Sequence, residues 1–292
     1  MYSSSLLRLQ HEVQVPSPGR PHGWWNSRQC CSQGALPLRL RCPPPSDSHR
    51  AVSKELAVQE AAFNSGLQIN AASIVVDTYI HVVSIDQTAT GGYLSRETID
   101  KQMQVLNDNF APSGIAFTLK DVDWTVNTNW ARDRDSLNMK KKLRKGTYAS
   151  LNLYYQTEVS GNLGVCYYPT TAQPGTTAFY QDGCTILFTS VPGGSATGYN
   201  EGKTTTHEVG HWFGLIHTFE GGCNAGDEVD DTPAQASATS GCPTGRDSCP
   251  NQAGLDPIHN YMDYSYDSCY EEFTTGQVNR MKSMWTRYRS GK

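Results

Sequence analysis

Between residues 48 and 64 the chain carries few helix breakers and places apolar residues at Ala51, Leu56, Ala57, Val58, Ala61, Ala62 and Phe63. That spacing predicts an amphipathic helix. The run from Ile74 to Val83 is β-branched and bounded by polar turns, which predicts a buried strand. Ser95 then stands where an N-cap belongs, and Ile99, Met103, Leu106 and Phe110 recur at helical spacing until Pro112 and Gly114 stop the pattern. Ile115, Phe117 and Leu119 alternate along 115–126, a strand, and 150–156 and 185–189 read as two more. A basic run, Lys140 to Lys142 and Lys145, falls on a helix and is expected to form a solvated face rather than a binding patch. The order strand, helix, strand, helix, strand is that of an α/β half-domain. After Gly202 the character changes. One helix follows, then 221–256 is almost all turn formers, and Val278, Met281, Met284, Trp285 and Tyr288 mark a closing helix over 276–289.

Composition narrows the classes. The 292 residues are 37% hydrophobic, enough for a sizeable core, so a disordered chain is excluded. A net charge of −4 carries no electrostatic footprint for nucleic acid, and no apolar run approaches the length of a membrane span. Of nine cysteines, Cys223, Cys242, Cys249 and Cys269 share the Gly/Ser/Pro/Asp-rich stretch, where few residues can build a core and disulfides help most. They lack the C-x2-C spacing of common structural zinc sites, so disulfides and an oxidising, extracellular setting are expected. Four cysteines allow three connectivities. Cys166 and Cys184 flank a hairpin-like stretch and form another candidate pair, which leaves Cys30, Cys31 and Cys42. The first 45 residues show no apolar segment of signal-peptide type and read as an irregular leader or the remnant of a pro-segment.

The chemistry concentrates in His207-Glu208-Val209-Gly210-His211-Trp212-Phe213-Gly214-Leu215-Ile216-His217. Two His at i and i+4 on one helical face aim both imidazoles at one point, the arrangement of a zinc clamp. A straight helix would carry His217 away; Gly214 permits a positive φ, so the chain turns and brings it back. Three neutral imidazoles leave a fourth coordination position open, the mark of a catalytic rather than a structural zinc. Glu208 lies beside the metal, placed to act as general base on a water there. Asp227, Asp230, Asp231 and Thr232 offer hard oxygens on a turn-rich loop, which suits calcium as well as plain solvation.

With H-E-x-x-H-x-x-G-x-x-H complete, the chain resembles the metzincin metalloproteases. Asn260-Tyr261-Met262-Asp263-Tyr264 looks like their Met-turn, and the cysteine-rich stretch before it, with Gly226-Asp227-Glu228-Val229-Asp230-Asp231-Thr232-Pro233, resembles the pappalysin branch and the extracellular metalloproteases of fungi. The resemblance spans about 50–289. It implies an α+β, metzincin-like zincin domain: a mixed twisted sheet with an active-site helix over a cysteine-rich, mostly irregular C-terminal subdomain. The boundaries it suggests are a leader over 1–45, a helical pro- or linker segment over 46–70, and a catalytic domain over 71–292, divided at 217/218.

The same resemblance implies zinc held by His207, His211 and His217, Glu208 as base, Tyr264 as donor to the oxyanion, and Met262 as an apolar floor under the histidines. It also implies the pairs Cys223–Cys249 and Cys242–Cys269, a calcium ion at Asp227, Asp230 and Thr232, and a zymogen in which Cys42 caps the zinc, although Pro43 stands where Gly is expected. Gly193 to Tyr199 would form a substrate rim and 265–270 the pocket that sets sequence preference. Asp267 is near that pocket, but Ser268 directly precedes Cys269, which does not fit a preference for Arg or Lys. The activity implied is that of a secreted, monomeric zinc endopeptidase acting on proteins or peptides, without nucleic-acid or membrane partners. A zinc hydrolase of other amides is the rival enzyme. A catalytically silent binding or adhesion module on the same fold is the rival from another class; the intact base and ligand set counts against it.

Overall fold

The computed structural model describes residues 44–64, 73–224 and 226–292. The leader with Cys30, Cys31 and Cys42, the zinc cap proposed for Cys42, and the end of the helical segment beyond residue 64 lie outside the described residues.

Seven helices and five strands are formed among the described residues: α1 (Asp47–Asn64), β1 (Ile74–Ser84), α2 (Arg96–Phe110), β2 (Ile115–Val126), α3 (Thr128–Ala131), α4 (Ser136–Leu143), β3 (Leu151–Gln156), β4 (Gly164–Cys166), α5 (Thr177–Gln181), β5 (Cys184–Leu187), α6 (Lys203–Trp212) and α7 (Thr275–Tyr288). The strands make one mixed sheet in the order β2-β1-β3-β5-β4. β1 pairs in parallel with β2 and β3, and β3 with β5. Only β4 runs antiparallel, with Gly164 opposite Ile186 and Cys166 opposite Cys184. The last strand stops earlier than its hydrophobic run suggests, because 188–190 turn into a single 3-10 turn.

Local signals explain the helix ends. The Ser95 hydroxyl accepts from Thr98 N, and the chain leaves the α2 region through Gly114 at φ 68°. α7 opens with a capping box between Thr274 and Gln277. One core joins Val76, Ile80 and Val82 of β1, Ile99, Met103, Leu106 and Phe110 of α2, Val209, Trp212 and Phe213 around α6, and Met281 of α7. Because α6 lies inside this core, residues 204–212 are all buried, as a helix covered on every side must be.

The basic run does not form a uniform solvated face. Lys141 and Lys142 are exposed, but Lys140 is buried: its Nζ donates to Gln181 O at 2.8 Å and sits over the rings of Tyr154 and Tyr167. Burial lowers its pKa to about 7. A side chain long enough to reach carbonyls on a neighbouring loop escapes the charge-pattern rule that places such runs in water.

Among the described residues no helix is long and apolar enough to cross a membrane. Three disulfides form: Cys166–Cys184 ties β4 to β5, while Cys223–Cys249 and Cys242–Cys269 cross-link the turn-rich stretch, the second to the segment after Met262.

Candidate metal centre and active site

α6 has no side-chain cap of its own, since Gly202 occupies that position at φ 86°. Its first amides are satisfied from a distance. Asp267 Oδ2 accepts from Glu201 N at 2.8 Å and Lys203 N at 3.3 Å, and Lys203 Nζ donates to the carbonyls of Asp267 and Tyr270. The carboxyl expected near the specificity pocket is therefore committed to the start of α6; burial raises its pKa to about 6.

His207 and His211 lie one turn apart on α6. Gly214 adopts φ 94°, the helix ends with Gly214 N donating to His211 O and Leu215 N to Gly210 O, and His217 returns toward the other two. The bend also needs a residue without a side chain, because a Cβ on Gly214 would stand 2.7 Å from Met284 Cγ.

Hydrogen bonding fixes how the imidazoles face each other. His207 Nδ1 lies 2.6 Å from Tyr261 O and His211 Nδ1 2.7 Å from Leu215 O. A carbonyl can only accept, so both Nδ1 atoms carry the proton and both Nε2 atoms present a bare lone pair. His211 Nε2 then lies 3.2 Å from His207 Nε2 and 3.0 Å from His217 Nε2. His217 Nδ1 faces Glu220 Oε2 at 3.9 Å. Among the described residues this is the group of three or more His, Cys, Asp or Glu whose ligand atoms come together, all within 4.8 Å.

Lone pairs aimed at one another repel, and only a cation between them makes the arrangement favourable. An ion ~2.0–2.1 Å from each nitrogen at tetrahedral angles would hold them ~3.3 Å apart, close to the spacing found. The donor set therefore fits zinc. Burial, reinforced by the neighbouring imidazoles, lowers His207 to about 3 and His211 well below the usual range. Burial also lowers His217, against the pull of Glu220. All three are held neutral, as ligation requires.

The turn at 260–264, expected to be a Met-turn, lies beneath. Met262 is fully buried against Gly210 of α6, where a Cβ would fall 2.4 Å from Met262 Sδ. Asn260 Oδ1 accepts from Met262 N, and Asn260 and Gln277 exchange hydrogen bonds at 2.7 and 3.0 Å, which ties the turn to the start of α7. The ring of Tyr264 packs edge-on to His217 at 4.9 Å and lies 5.7 Å from His207. Glu208 follows His207 on α6, is fully buried, and lies against Gly164 of β4.

The candidate calcium residues are not gathered into a carboxylate cluster. Asp227 is buried, accepts from Val229 N and lies 3.5 Å from Gln277 Nε2. Asp230 is exposed, and Thr232 is half-buried. Asp231, beside them, accepts from the Thr274 hydroxyl and from Gly276 N, and so supports the first turn of α7. Hard oxygens on a turn-rich loop look alike in sequence whether they face a cation or a helix N-terminus.

Residues without a motif also reach the centre. His49 of α1 lies 3.0 Å from Gly214 O and stacks on Tyr168 at 4.3 Å, and Tyr168 meets His211 edge-on at 5.4 Å. Arg50 pairs with Glu220 at 2.6 Å. No local pattern announces these contacts; only the packing of α1 brings them there.

Comparisons with known proteins agree with this geometry. The peptidase M43 family, described as pregnancy-associated plasma protein-A, matches residues 141–286. An extracellular metalloprotease of Podospora anserina is 58% identical over 85% of this chain and 88% of its own length. One of Pyricularia oryzae is 57% identical over 88% of this chain and 93% of its own. Among solved structures, mirolysin in complex with compound 9 superposes with a TM-score of 0.64 at 27% identity, covering 76% of this chain and 94% of that one. Mature mirolysin of Tannerella forsythia, in complex with a cleaved peptide, gives 0.60 at 27% identity over 74% and 92%.

Proposed function

The chain belongs to the peptidase M43 family of metzincin metalloendopeptidases, and from that premise we propose that it is a secreted zinc endopeptidase hydrolysing peptide bonds of extracellular proteins. Secretion is supported by the naming of its relatives as extracellular metalloproteases and by the three disulfides.

The observation that carries the chemistry is the convergence of three Nε2 lone pairs, two of them fixed by carbonyls behind the rings. His207, His211 and His217 would hold the zinc. When bound, zinc supplies a Lewis acid for the scissile carbonyl and draws the pKa of water down toward ~7. Glu208 accepts the proton of the attacking water and passes it to the leaving amine. The Tyr264 phenol, beside two of the ligands, donates to the oxygen on which charge develops in the transition state. Met262 keeps the floor apolar and takes no part in proton transfer.

Glu208→Gln tests the assignment. The variant is expected to keep stoichiometric zinc and to lose on the order of 10²–10⁴-fold in kcat on casein or a fluorogenic peptide. Zinc-replete protein with full activity would remove Glu208 as the base, and wild-type protein that is zinc-replete yet inert on every peptide would favour the silent binding module.

Calcium at 226–233 is a narrower part of the proposal. Its support is the loop's oxygen-rich composition and the buried Asp227 carboxyl, raised to about 7 by desolvation, which a cation would hold ionised. Calcium titrated into zinc-loaded protein should raise Tm; an unchanged Tm removes it.

A further inference from the structure

Gly164 sits in the middle of the proton-transfer machinery without being part of any motif. It begins β4, an edge strand that pairs antiparallel with β5. Its φ lies outside the left-handed region, so its backbone does not call for glycine. Glycine in a strand costs conformational entropy and marks a place where something approaches the backbone closely. Here that something is Glu208. A Cβ on Gly164 would lie 2.5 Å from Glu208 Cγ, 2.6 Å from Oε1 and 2.7 Å from Cδ. The carboxylate and the methylene next to it rest directly on the bare Cα.

Neither side can yield by moving backbone. β4 is held by its ladder to β5, by Leu187 N donating to Leu163 O at 2.8 Å, and by the Cys166–Cys184 disulfide. Glu208 belongs to a helix buried along nine consecutive positions. Any side chain at 164 must therefore be accommodated by rotation of the Glu208 side chain. A base displaced by about 1 Å loses on the order of 10²-fold in rate.

We infer that Gly164 is a positioning residue for the proton acceptor: the missing side chain on the edge strand leaves the slot that holds the Glu208 carboxylate at its working place. This rests on the reading of Glu208 as the general base. The contact itself does not depend on that reading, and the experiment separates the two.

Gly164→Ala, Glu208→Ala and the double variant are compared in the full-length, disulfide-intact, zinc-loaded protein, with Glu208→Gln alongside. Glu208→Ala removes Cγ, Cδ and the carboxylate oxygens, the atoms a methyl at 164 would meet, and so vacates the space; aspartate would keep Cγ in place. Gly164→Ala alone is expected to keep its zinc, to lose on the order of 10²-fold in kcat and to change KM by less than about threefold. Thermal unfolding reads the coupling: Tm is lowered by Gly164→Ala when Glu208 is present and is not lowered by it in the Glu208→Ala background.

Gly164→Ala with wild-type kcat overturns the inference. So does an equal loss of Tm in both backgrounds, which assigns the glycine to β4 itself, or a kinetic loss confined to KM, which assigns it to the passage of substrate along the strand. If Gly164→Ala fails to fold, the double variant decides: rescue supports the contact with Glu208, and failure of both shows that β4 itself needs the glycine. An active Glu208→Gln would remove the base assignment while leaving the Tm coupling to stand or fall alone.

Discussion

Gly210 of α6 and Met262 meet beneath the three histidines, and the contact can be given a magnitude. Met262 is fully buried, and truncating such a methionine to alanine costs ~2–5 kcal/mol, depending on how far the surroundings collapse. Collapse is restricted here, because the facing position is Gly210, a glycine in a hydrogen-bonded helix with no side chain to turn inward. Met262→Ala is therefore expected toward the upper part of the range, about 3–4 kcal/mol. Gly210→Ala alone gains ~1 kcal/mol of helix propensity but drives a methyl to 2.4 Å from Met262 Sδ, an overpacking worth ~1–3 kcal/mol. It should be destabilising by about 1 kcal/mol. In the double variant the new methyl enters the vacated space, contributing propensity together with ~1 kcal/mol of burial, so it should be more stable than Met262→Ala. The assay is urea unfolding with disulfides intact and metal stripped, which keeps zinc binding out of the comparison. Additivity within ~0.5 kcal/mol would refute the contact as the source of both effects.

Two further outcomes follow from buried ionisable groups. Asp227 has its pKa raised from 3.8 to about 7 by burial, so between these values the folded chain holds a proton that the unfolded chain releases. In calcium-free solution stability should fall as pH rises through that window, and Asp227→Asn should flatten the slope; identical slopes for the two proteins in denaturation at pH 4.5–7.5 would sink the reasoning. Asp182, almost wholly buried, accepts from Arg289 at 2.8 Å and from Trp212 Nε1 at 3.2 Å. Asp182→Asn leaves the fully buried Arg289 without a counter-charge and should cost ~3–5 kcal/mol in urea unfolding; a cost below 1 kcal/mol would mean that the pair is hydrated.

What the chain discloses without its fold depends on how local the determinant is. The zinc helix is legible because five positions within eleven residues must each satisfy a separate geometric demand, from the i, i+4 histidines to the glycine at φ 94°. The long strands and α2 and α7 are legible through period and caps. β4 is not: Gly-Val-Cys has no period, and its role comes from lying beside α6. Lys140 misleads because burial is decided by a neighbouring loop that supplies carbonyls. In the acidic loop Asp231 likewise serves the N-terminus of α7, distant in sequence, which its composition does not reveal. Asp267 lies near the proposed specificity pocket in sequence, yet its carboxylate works as the cap α6 lacks.

The motif specifies which atoms could bind a metal; it does not by itself aim them. Aim comes from acceptors behind the rings, and these belong to different elements: Tyr261 O of the Met-turn for His207, Leu215 O of the bend for His211. The bend is itself held from outside. Burial lowers the pKa of His49 to about 4, so its ring stays neutral at physiological pH and its Nε2–H can donate to Gly214 O, one of the carbonyls a helix end leaves over. Arg50 holds Glu220, which faces His217, while Glu60 pairs with the buried Arg280 of α7, whose Nη2 also donates to Glu228 O. The first turn of α1 is thus spliced into the surroundings of the second and third candidate ligands, and Glu60 ties its later part to α7. A segment that the resemblance sets ahead of the catalytic domain is bonded to Gly214, the residue at which the chain bends back toward His217. At the proposed zinc site, affinity is for that reason expected to depend on α1, the bend and the turn at 260–264 together, with a change in any of them acting through the orientation of an imidazole rather than through the loss of a ligand.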